Sequence, residues 1–286
     1  MNDSGSSAPL PLPPPAFRLG ATSFVYPAGW ADNVARLVAE TPVRDVELLF
    51  FEADRAEQLP TPAEIARLGR YRDQAGLSYT LHTPLDASLA SADARRRHDA
   101  LGAIRRCLEV AAPLRPERIV VHVYLGDQEH DPAPPPELDA WRDRAAAALE
   151  AVVALGVPRR ALCVETIDYD FALLAPVIDA LDLSVALDLG HQLRDGRDEL
   201  ALVDRWLPRT GAIQWHGVEP GGRDHRSIAH YPRARASSLL RVLRRSGFAG
   251  VLTLEVFREE DLRSSLATYA WLMAALDGAP SEGAVP

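Results

Sequence analysis

The chain has 286 residues, of which 47% are hydrophobic and 25% charged, and its formal net charge at pH 7 is −9. These values are typical of a soluble globular protein long enough for a single α/β barrel, and the acidic balance argues against a protein that spreads over nucleic acid. All 31 basic residues are arginine. The absence of lysine excludes Schiff-base, pyridoxal and P-loop chemistry, because each requires a lysine ammonium group.

The chain begins with a Ser-, Gly- and Pro-rich segment, residues 1–16, which has neither the basic start nor the continuous apolar core of a signal peptide. It predicts a disordered lead-in, and residues 277–286 predict a similar flexible tail. No apolar run approaches the roughly 20 residues that span a membrane. Cys107 and Cys163 lie in apolar runs without paired spacing, which predicts buried, reduced thiols in a cytoplasmic protein.

Between these ends, short apolar runs bounded by Gly, Pro or polar residues predict eight strands, at residues 17–24, 45–52, 77–84, 118–125, 161–168, 183–191, 211–218 and 250–257. Segments with helical spacing follow them, at residues 30–40, 61–76, 93–112, 137–156, 170–181, 198–207, 233–247 and 259–276. Thr61 with Glu64 is a helix start signal, Gly76 is a stop signal, and Pro176 predicts that the fifth helix begins late or kinks. The alternation predicts a (β/α)₈ TIM barrel, a single domain over residues 17–276.

In such barrels the active site lies at the C-terminal ends of the strands. The ends of strands three to eight each carry an ionisable residue: His82, His122, Glu165, Asp188, His216 and Glu255. Carboxylates and imidazoles are costly to bury without a partner, and the chain has no lysine to serve as one. Their donor atoms suit Zn²⁺ or Mn²⁺, so the sequence predicts a divalent metal, with His191 beside Asp188 as a further ligand.

The loop after strand seven adds three candidates. Asp224 and His225 can reach back over the site, and Arg226 can meet an anionic substrate group. The Pro-rich connection at residues 126–138 follows strand four, where long loops tend to be functional. His130 lies in it and is given no role; His98 and His230 are predicted at the surface.

Strands one and two contribute weaker candidates. Glu47 lies within strand two, where the pleat can direct it into the barrel, and Glu52 ends that strand, where it can contact substrate. For both, an ion pair with one of the many arginines is the alternative. Thr22 and Ser23 offer hydroxyl groups to the same bowl.

The order of these residues resembles that of the xylose-isomerase-like barrels, which include metal-dependent apurinic-site endonucleases and sugar isomerases and epimerases. The resemblance implies that Glu165, Asp188, His216 and Glu255 bind one divalent metal. The endonuclease branch implies further ligands, and hence one to three ions, at His82, His122, His191, Asp224 and His225. Two departures stand out: Asp224 and His225 are adjacent where the endonucleases have Asp-x-His, and the lysine that sugar epimerases often carry after the strand-seven His is absent.

Four stretches, RLGATSFVYPAGWADNV, DVELLFFE, YTLHTPLD and HGVEPGGRDHRSI, resemble the cobamide-remodelling phosphodiesterases, a bacterial branch of this superfamily. The resemblance implies hydrolysis of the nucleotide-loop phosphodiester of adenosylcobalamin to adenosylcobinamide phosphate and α-ribazole. It implies a small-molecule partner, the cobamide, with no nucleic acid or membrane, and leaves the oligomeric state open. The candidate catalytic residues are then Glu165, Glu255 and His82, and the candidate substrate-binding residues are Thr22, Ser23, Glu52 and Arg226.

The main alternative is a metal-dependent sugar or sugar-phosphate isomerase or epimerase. In that case Glu165 and Glu255 would shuttle a proton beside one metal, and the additional histidines would be unexplained. A barrel that senses a ligand without catalysis is a further alternative, against which the intact set of donors at the strand ends argues. DNA repair is disfavoured by the acidic charge and the altered loop.

Overall fold

The computed structural model describes residues 12–52, 55, 58–128 and 137–278. Eight parallel strands form a closed barrel in sequence order. They are β1 (Arg18–Thr22), β2 (Asp45–Leu49), β3 (Ser78–His82), β4 (Arg118–Val121), β5 (Leu162–Glu165), β6 (Ser184–Asp188), β7 (Thr210–Trp215) and β8 (Val251–Leu254). The predicted (β/α)₈ barrel is confirmed. Parts of three predicted segments lie outside the described residues: 1–11 of the lead-in, 129–136 of the Pro-rich connection and 279–286 of the tail. His130 is among them.

The α-helices of the described residues surround this barrel: α1 (Trp30–Glu40), α2 (Pro62–Ala75), α3 (Ala94–Ala111), α4 (Leu138–Ala154), α5 (Ala175–Leu181), α6 (Leu189–Arg194), α7 (Glu199–Trp206), α8 (Arg233–Ser246) and α9 (Glu259–Leu276). No helix in the described part of the chain combines the length and apolar character needed to cross a membrane.

The sequence signals for two helix ends are confirmed in α2 and α5. Thr61 and Glu64 form a reciprocal capping box at the start of α2, and Gly76 ends that helix with a left-handed φ of 65°. Before α5, Phe171–Leu173 form a separate 3₁₀ turn, and Pro176 lies in the first turn of the helix, where its missing N–H is tolerated. The fifth helix therefore begins late.

The predicted strands run past the observed C-terminal ends by two to four residues, and at the sixth strand the prediction also missed a helix. This strand was expected to continue to residue 191, but β6 ends at Asp188 and α6 begins at the next residue. The Asp188 carboxylate accepts a hydrogen bond from the backbone N–H of His191 at 2.7 Å and so caps the new helix. The apolar pattern through Leu189 concealed this turn, and the prediction therefore contained one α-helix too few.

The core has two parts. Small buried side chains of β4–β7 (Val120, Cys163, Ala186 and Ala212) form one cluster, and the larger cluster packs the barrel against the helices. Cys107 and Cys163 are both buried and unpaired, as expected. Small residues in the barrel interior leave room for the polar side chains at the strand ends.

Candidate metal centre

The strand-end residues converge at one rim of the barrel. His82, Glu165 and Asp188 are the last residues of their strands, and His122, His216 and Glu255 follow directly after β4, β7 and β8. Because the strands are parallel, their C-terminal ends lie at the same face. These side chains are buried, with residue exposures between 0% and 6%.

The first cluster consists of His82, His122 and Glu165. Nε2 of each histidine lies 3.0 Å from Oε2 of Glu165. His82 Nδ1 lies 2.8 Å from the carbonyl of Thr83, which can only accept, so Nδ1 carries the proton. His122 Nδ1 lies 2.5 Å from the Tyr124 hydroxyl.

These second contacts fix the tautomers of both rings. The Tyr124 hydroxyl donates its own proton to the carbonyl of Leu85 and therefore accepts one from His122 Nδ1. In neutral His82 and His122, Nε2 then carries a lone pair instead of a proton, and both lone pairs face Oε2 of Glu165. Three acceptors that converge on one another repel unless a proton or a metal ion lies among them, and this orientation of imidazoles by outer contacts is typical of metal ligands.

The second cluster consists of Asp188, His216 and Glu255, whose donor atoms all lie within 4.8 Å of one another. His216 Nε2 lies 3.2 Å from Oδ1 of Asp188. Asp188 Oδ2 and Glu255 Oε2 are buried without a hydrogen-bond partner. Buried polar atoms are ordinarily satisfied, so this donor set fits a bound cation.

The third cluster consists of His191, His216 and His225 and is bordered by Asp224. Nε2 of His191 lies 3.3 Å from Nε2 of His225 and 3.8 Å from Oδ2 of Asp224. His225 has a positive φ of 50°, a conformation that non-glycine residues rarely adopt. This turn lets the adjacent Asp224 and His225 both approach His191, so the altered spacing of the loop does not separate them.

The clusters are connected rather than independent. Glu165, Asp188 and His191 form a further group within 4.8 Å, and the second and third clusters share His216. Eight of the nine metal ligands predicted from the sequence belong to these connected groups. The ninth, Asp224, lies beside them at His191 and also pairs with Arg194 at 2.7 Å.

The buried carboxyl groups divide into two pairs by their pKa values. Burial alone would raise the pKa of Glu165, but His122 and His82 outweigh it and hold that pKa well below its usual range. For Asp188, His191 and His216 likewise outweigh burial and lower the pKa. Burial, reinforced by neighbouring carboxylates, raises the pKa of Glu47 and Glu255 well above the usual range. The four carboxyl groups thus form one pair with lowered pKa values, Glu165 and Asp188, and one pair with raised pKa values, Glu47 and Glu255.

Metal binding is therefore expected to release protons and to strengthen as pH rises. Burial and the neighbouring Glu47 raise the pKa of Glu255, and Asp188 raises the pKa of His216 against the effect of burial, so a bound ion competes with protons at both groups. His225 contributes none, because burial and the neighbouring His216 and His191 lower its pKa to about 3. The Kd is expected to fall about tenfold per pH unit for each proton released between pH 6 and 8. Calorimetry in two buffers of different ionisation heat counts the protons, and a pH-independent Kd would contradict the expectation.

The four predicted substrate-binding residues are not part of these clusters. Thr22 Oγ1 donates to the carbonyl of Val256 at 2.8 Å, and Ser23 Oγ accepts from the N–H of Leu49 at 3.3 Å, so both hydroxyls join neighbouring strands. Glu52 forms an ion pair with Arg55.

Arg226 is engaged as well, since its guanidinium pairs with Glu219 at 2.8 Å and with Asp261 at 3.3 Å. The roles of Thr22, Ser23, Glu52 and Arg226 toward a substrate remain predictions. His98 and His230, given no role at the site, are exposed as expected.

Six of the donors, His82, His122, Glu165, His191, His225 and Glu255, line a cavity of about 100 Å³ whose other wall is apolar. This apolar wall consists of Leu49, Phe51, Leu85, Tyr124 and Phe257. The rings of Phe51 and Phe257 lie 6.0 Å apart, and Phe257 lies 4.9 Å from the ring of His225. Phe51 and Phe257 were not among the predicted site residues, although each lies near the end of a predicted strand, 45–52 and 250–257.

Two further residues support the donors from within. Gln214 Nε2 lies 3.3 Å from Oε1 of Glu47, 3.3 Å from Oε2 of Glu165 and 3.2 Å from Oε1 of Glu255. Gly190 makes room for His216, since a Cβ at this position would lie 2.1–2.3 Å from three atoms of the imidazole. Its place between Asp188 and His191 was the only sequence signal for this close approach.

Comparison with known proteins agrees with this architecture. Residues 35–276 match the family described as xylose isomerase-like TIM barrel. The chain belongs to this family. No curated protein sequence matches it.

Solved structures of the xylose isomerase-like fold are similar over most of their length. A D-tagatose 3-epimerase-like protein shares 18% identity and a TM-score of 0.72, over 92% of this chain and 99% of that chain. Endonuclease IV from Thermus thermophilus shares 21% identity and a TM-score of 0.63, over 88% and 99%. The IOLI protein, whose structure has a bound zinc atom, shares 12% identity and a TM-score of 0.67, over 92% and 98%. At these identities the likeness shows the fold.

Proposed function

We propose that this protein is a metal-dependent phosphodiesterase. The observation that carries the proposal is the number and continuity of the donors: three clusters share or adjoin residues and offer more ligands than one ion accepts. Sites for two or more adjoining divalent ions are typical of enzymes that cleave phosphate esters. Zn²⁺ and Mn²⁺ both accept this mixture of imidazole and carboxylate ligands.

The proposed ligand sets follow the clusters. One ion would be held by His82, His122 and Glu165. A second would be held by Asp188, His216 and Glu255, together with Glu165. A third would be held by His191, Asp224 and His225. When bound, divalent ions lower the pKa of water and neutralise charge on phosphoryl oxygens. Thr83 and Tyr124 hold the rings of His82 and His122 in the tautomer that a ligand requires. The apolar wall limits the access of bulk water from one side.

The proposed substrate is a cobamide, on the strength of the sequence stretches that resemble cobamide-remodelling enzymes. A cavity of about 100 Å³ admits a phosphodiester group but not a corrin ring, so a bulky substrate would lie across the rim. Phe51 and Phe257 at that rim offer aromatic surface to a flat base. Hydrolysis would add water across one P–O bond, leaving a phosphate monoester on the cobinamide and a hydroxyl on the riboside.

The test is incubation of metal-stripped protein, restored with Zn²⁺ or Mn²⁺, with adenosylcobalamin in the dark. Mass spectrometry should detect adenosylcobinamide phosphate and α-ribazole. His98→Ala is the control. It removes a histidine from the exposed surface of α3 and should leave the rate unchanged. Intact cobamide with every metal would overturn the proposed substrate, and a parallel incubation with abasic duplex DNA tests the endonuclease alternative.

A sugar epimerase or isomerase is the second candidate, and one observation favours it. Glu165 and Glu255 accept hydrogen bonds from the same Gln214 nitrogen, and their pKa values are shifted in opposite directions. An ionised and a protonated carboxyl group beside one substrate are the requirements of acid–base proton transfer. Incubation with ketoses in D₂O tests it, because epimerisation through proton abstraction would place deuterium on carbon.

A further inference from the structure

Glu47 is a buried carboxylate on β2 that none of the three clusters contains. Its residue exposure is 0%. Oε1 accepts a hydrogen bond from Gln214, whereas Oε2 is shut off from solvent and has no hydrogen-bond partner. Within the described ranges no arginine or histidine forms an ion pair with it. The arginine partner that the sequence left open for Glu47 is therefore not found there.

Glu47 nevertheless lies beside two of the predicted ligands. One oxygen of Glu47, one ring nitrogen of His82 and one oxygen of Glu255 all lie within 4.8 Å of one another. With metal–ligand bonds of 2.0–2.2 Å, two ligands of one ion are at most about 4.4 Å apart, so small rotations would bring the three donors onto a common ion. Glu255 Oε2, like Glu47 Oε2, is a buried oxygen without a partner. Two unsatisfied carboxylates in one interior call for a cation.

We propose that Glu47 is a ligand of this centre and that, with His82 and Glu255, it binds a divalent cation. The set shares His82 with the first cluster and Glu255 with the second. Because the Nε2 lone pair of His82 binds one ion, Glu47 would join the ion of the first cluster rather than hold an additional one. Two carboxylate oxygens and one imidazole suit Mn²⁺ as well as Zn²⁺, since oxygen ligands favour the harder ion. The inference rests on the metal-dependent function proposed above, because it places Glu47 in the same centre.

The alternative is that Glu47 stays a neutral acid that only hydrogen-bonds to Gln214. Glu47→Gln distinguishes the two, because glutamine keeps the size and the hydrogen bond but is a poor ligand without charge. Asp45→Asn is the matched control. Asp45 is equally buried on the same face of β2, but its oxygens accept hydrogen bonds from Thr80 at 2.9 Å and Ser78 at 2.5 Å.

The experiment measures metal rather than turnover. Stripped protein is restored with Mn²⁺ or Zn²⁺ and desalted, and the ions per chain are counted by elemental analysis, with the Mn²⁺ resonance spectrum as a second readout. Glu47→Gln should lose one equivalent or bind at least tenfold more weakly, with an altered spectrum, while Asp45→Asn matches the wild type. Glu47→Asp, which keeps the carboxylate, should bind better than Glu47→Gln.

Each outcome decides a separate question. Wild-type stoichiometry and affinity in Glu47→Gln would overturn the role of Glu47, and so would equal losses in Glu47→Gln and Glu47→Asp. If Glu47→Gln unfolds too readily to be desalted, the rise of its Tm with added Mn²⁺ replaces the count, and a rise equal to that of the wild type overturns the inference. A wild type that binds metal but leaves cobamides intact would remove only the phosphodiesterase proposal. A wild type that binds no metal would remove both.

Discussion

Asp188→Asn is expected to remove the ion proposed at Asp188, His216 and Glu255, and the activity with it, while leaving the barrel folded. One oxygen of Asp188 caps α6 through the N–H of His191 at 2.7 Å, and the other is buried without a hydrogen-bond partner. Asparagine keeps the shape and one acceptor for the cap, but it lacks the charge that holds an ion. Removing a residue that only hydrogen-bonds to a metal ligand lowers the metal affinity about 10–100-fold. Removing the ligand itself should therefore lower the metal affinity by at least about 100-fold, and the catalytic rate by more.

Asp198→Asn is the matched control for that substitution. Asp198 caps α7 in the same way, through the N–H of Ala201 at 3.2 Å, but it is exposed and belongs to none of the clusters. It should keep wild-type metal content and rate, with a change in Tm no larger than that of Asp188→Asn. Metal analysis, turnover and thermal unfolding of both variants check the prediction. A full complement of metal in Asp188→Asn would show that the carboxylate is only a helix cap.

The fold was predictable because each level of the pattern points to the same answer. Short apolar runs alternate with helical segments throughout, and signals such as the capping box at Thr61 agree with the boundaries observed. The error at the sixth strand arose where one residue has three roles. Asp188 ends β6, caps α6 and lies in the second cluster, and hydrophobic periodicity cannot distinguish these roles.

The candidate site was predictable only in part, for a physical reason. Donors at strand ends converge because parallel strands share a rim, so their positions along the chain suffice to find them. The roles of Tyr124 and Gln214 depend on where side chains from different strands meet, which no local pattern encodes. Arg226 shows a second limit, because the sequence does not reveal the ion-pair partners of a charged side chain. Its guanidinium group pairs with Glu219 and Asp261.

Gly190→Ala is expected to disrupt the centre without removing any donor. The added Cβ would lie 2.1–2.3 Å from the imidazole of His216, which is fully buried and 3.2 Å from Asp188. Such a distance is impossible, so the ring must move away from the second and third clusters, which share it. Gly190 lies in α6 and is not among the glycines with positive φ, so alanine suits the backbone and the effect is steric. Overpacking of this kind costs about 1–3 kcal/mol of stability.

Gly69→Ala separates this clash from the general effect of the substitution. Gly69 also lies within a helix, α2, but a Cβ there meets nothing within 4 Å, so alanine should stabilise the protein by about 0.5–1 kcal/mol and leave the metal content unchanged. Gly190→Ala should lose the ion proposed at Asp188, His216 and Glu255 and keep the ion at His82, His122 and Glu165. Partial loss of this kind, counted by metal analysis on folded protein, would assign His216 to particular ions. Full retention of metal would mean that the ring can move freely, and that His216 is therefore not a ligand.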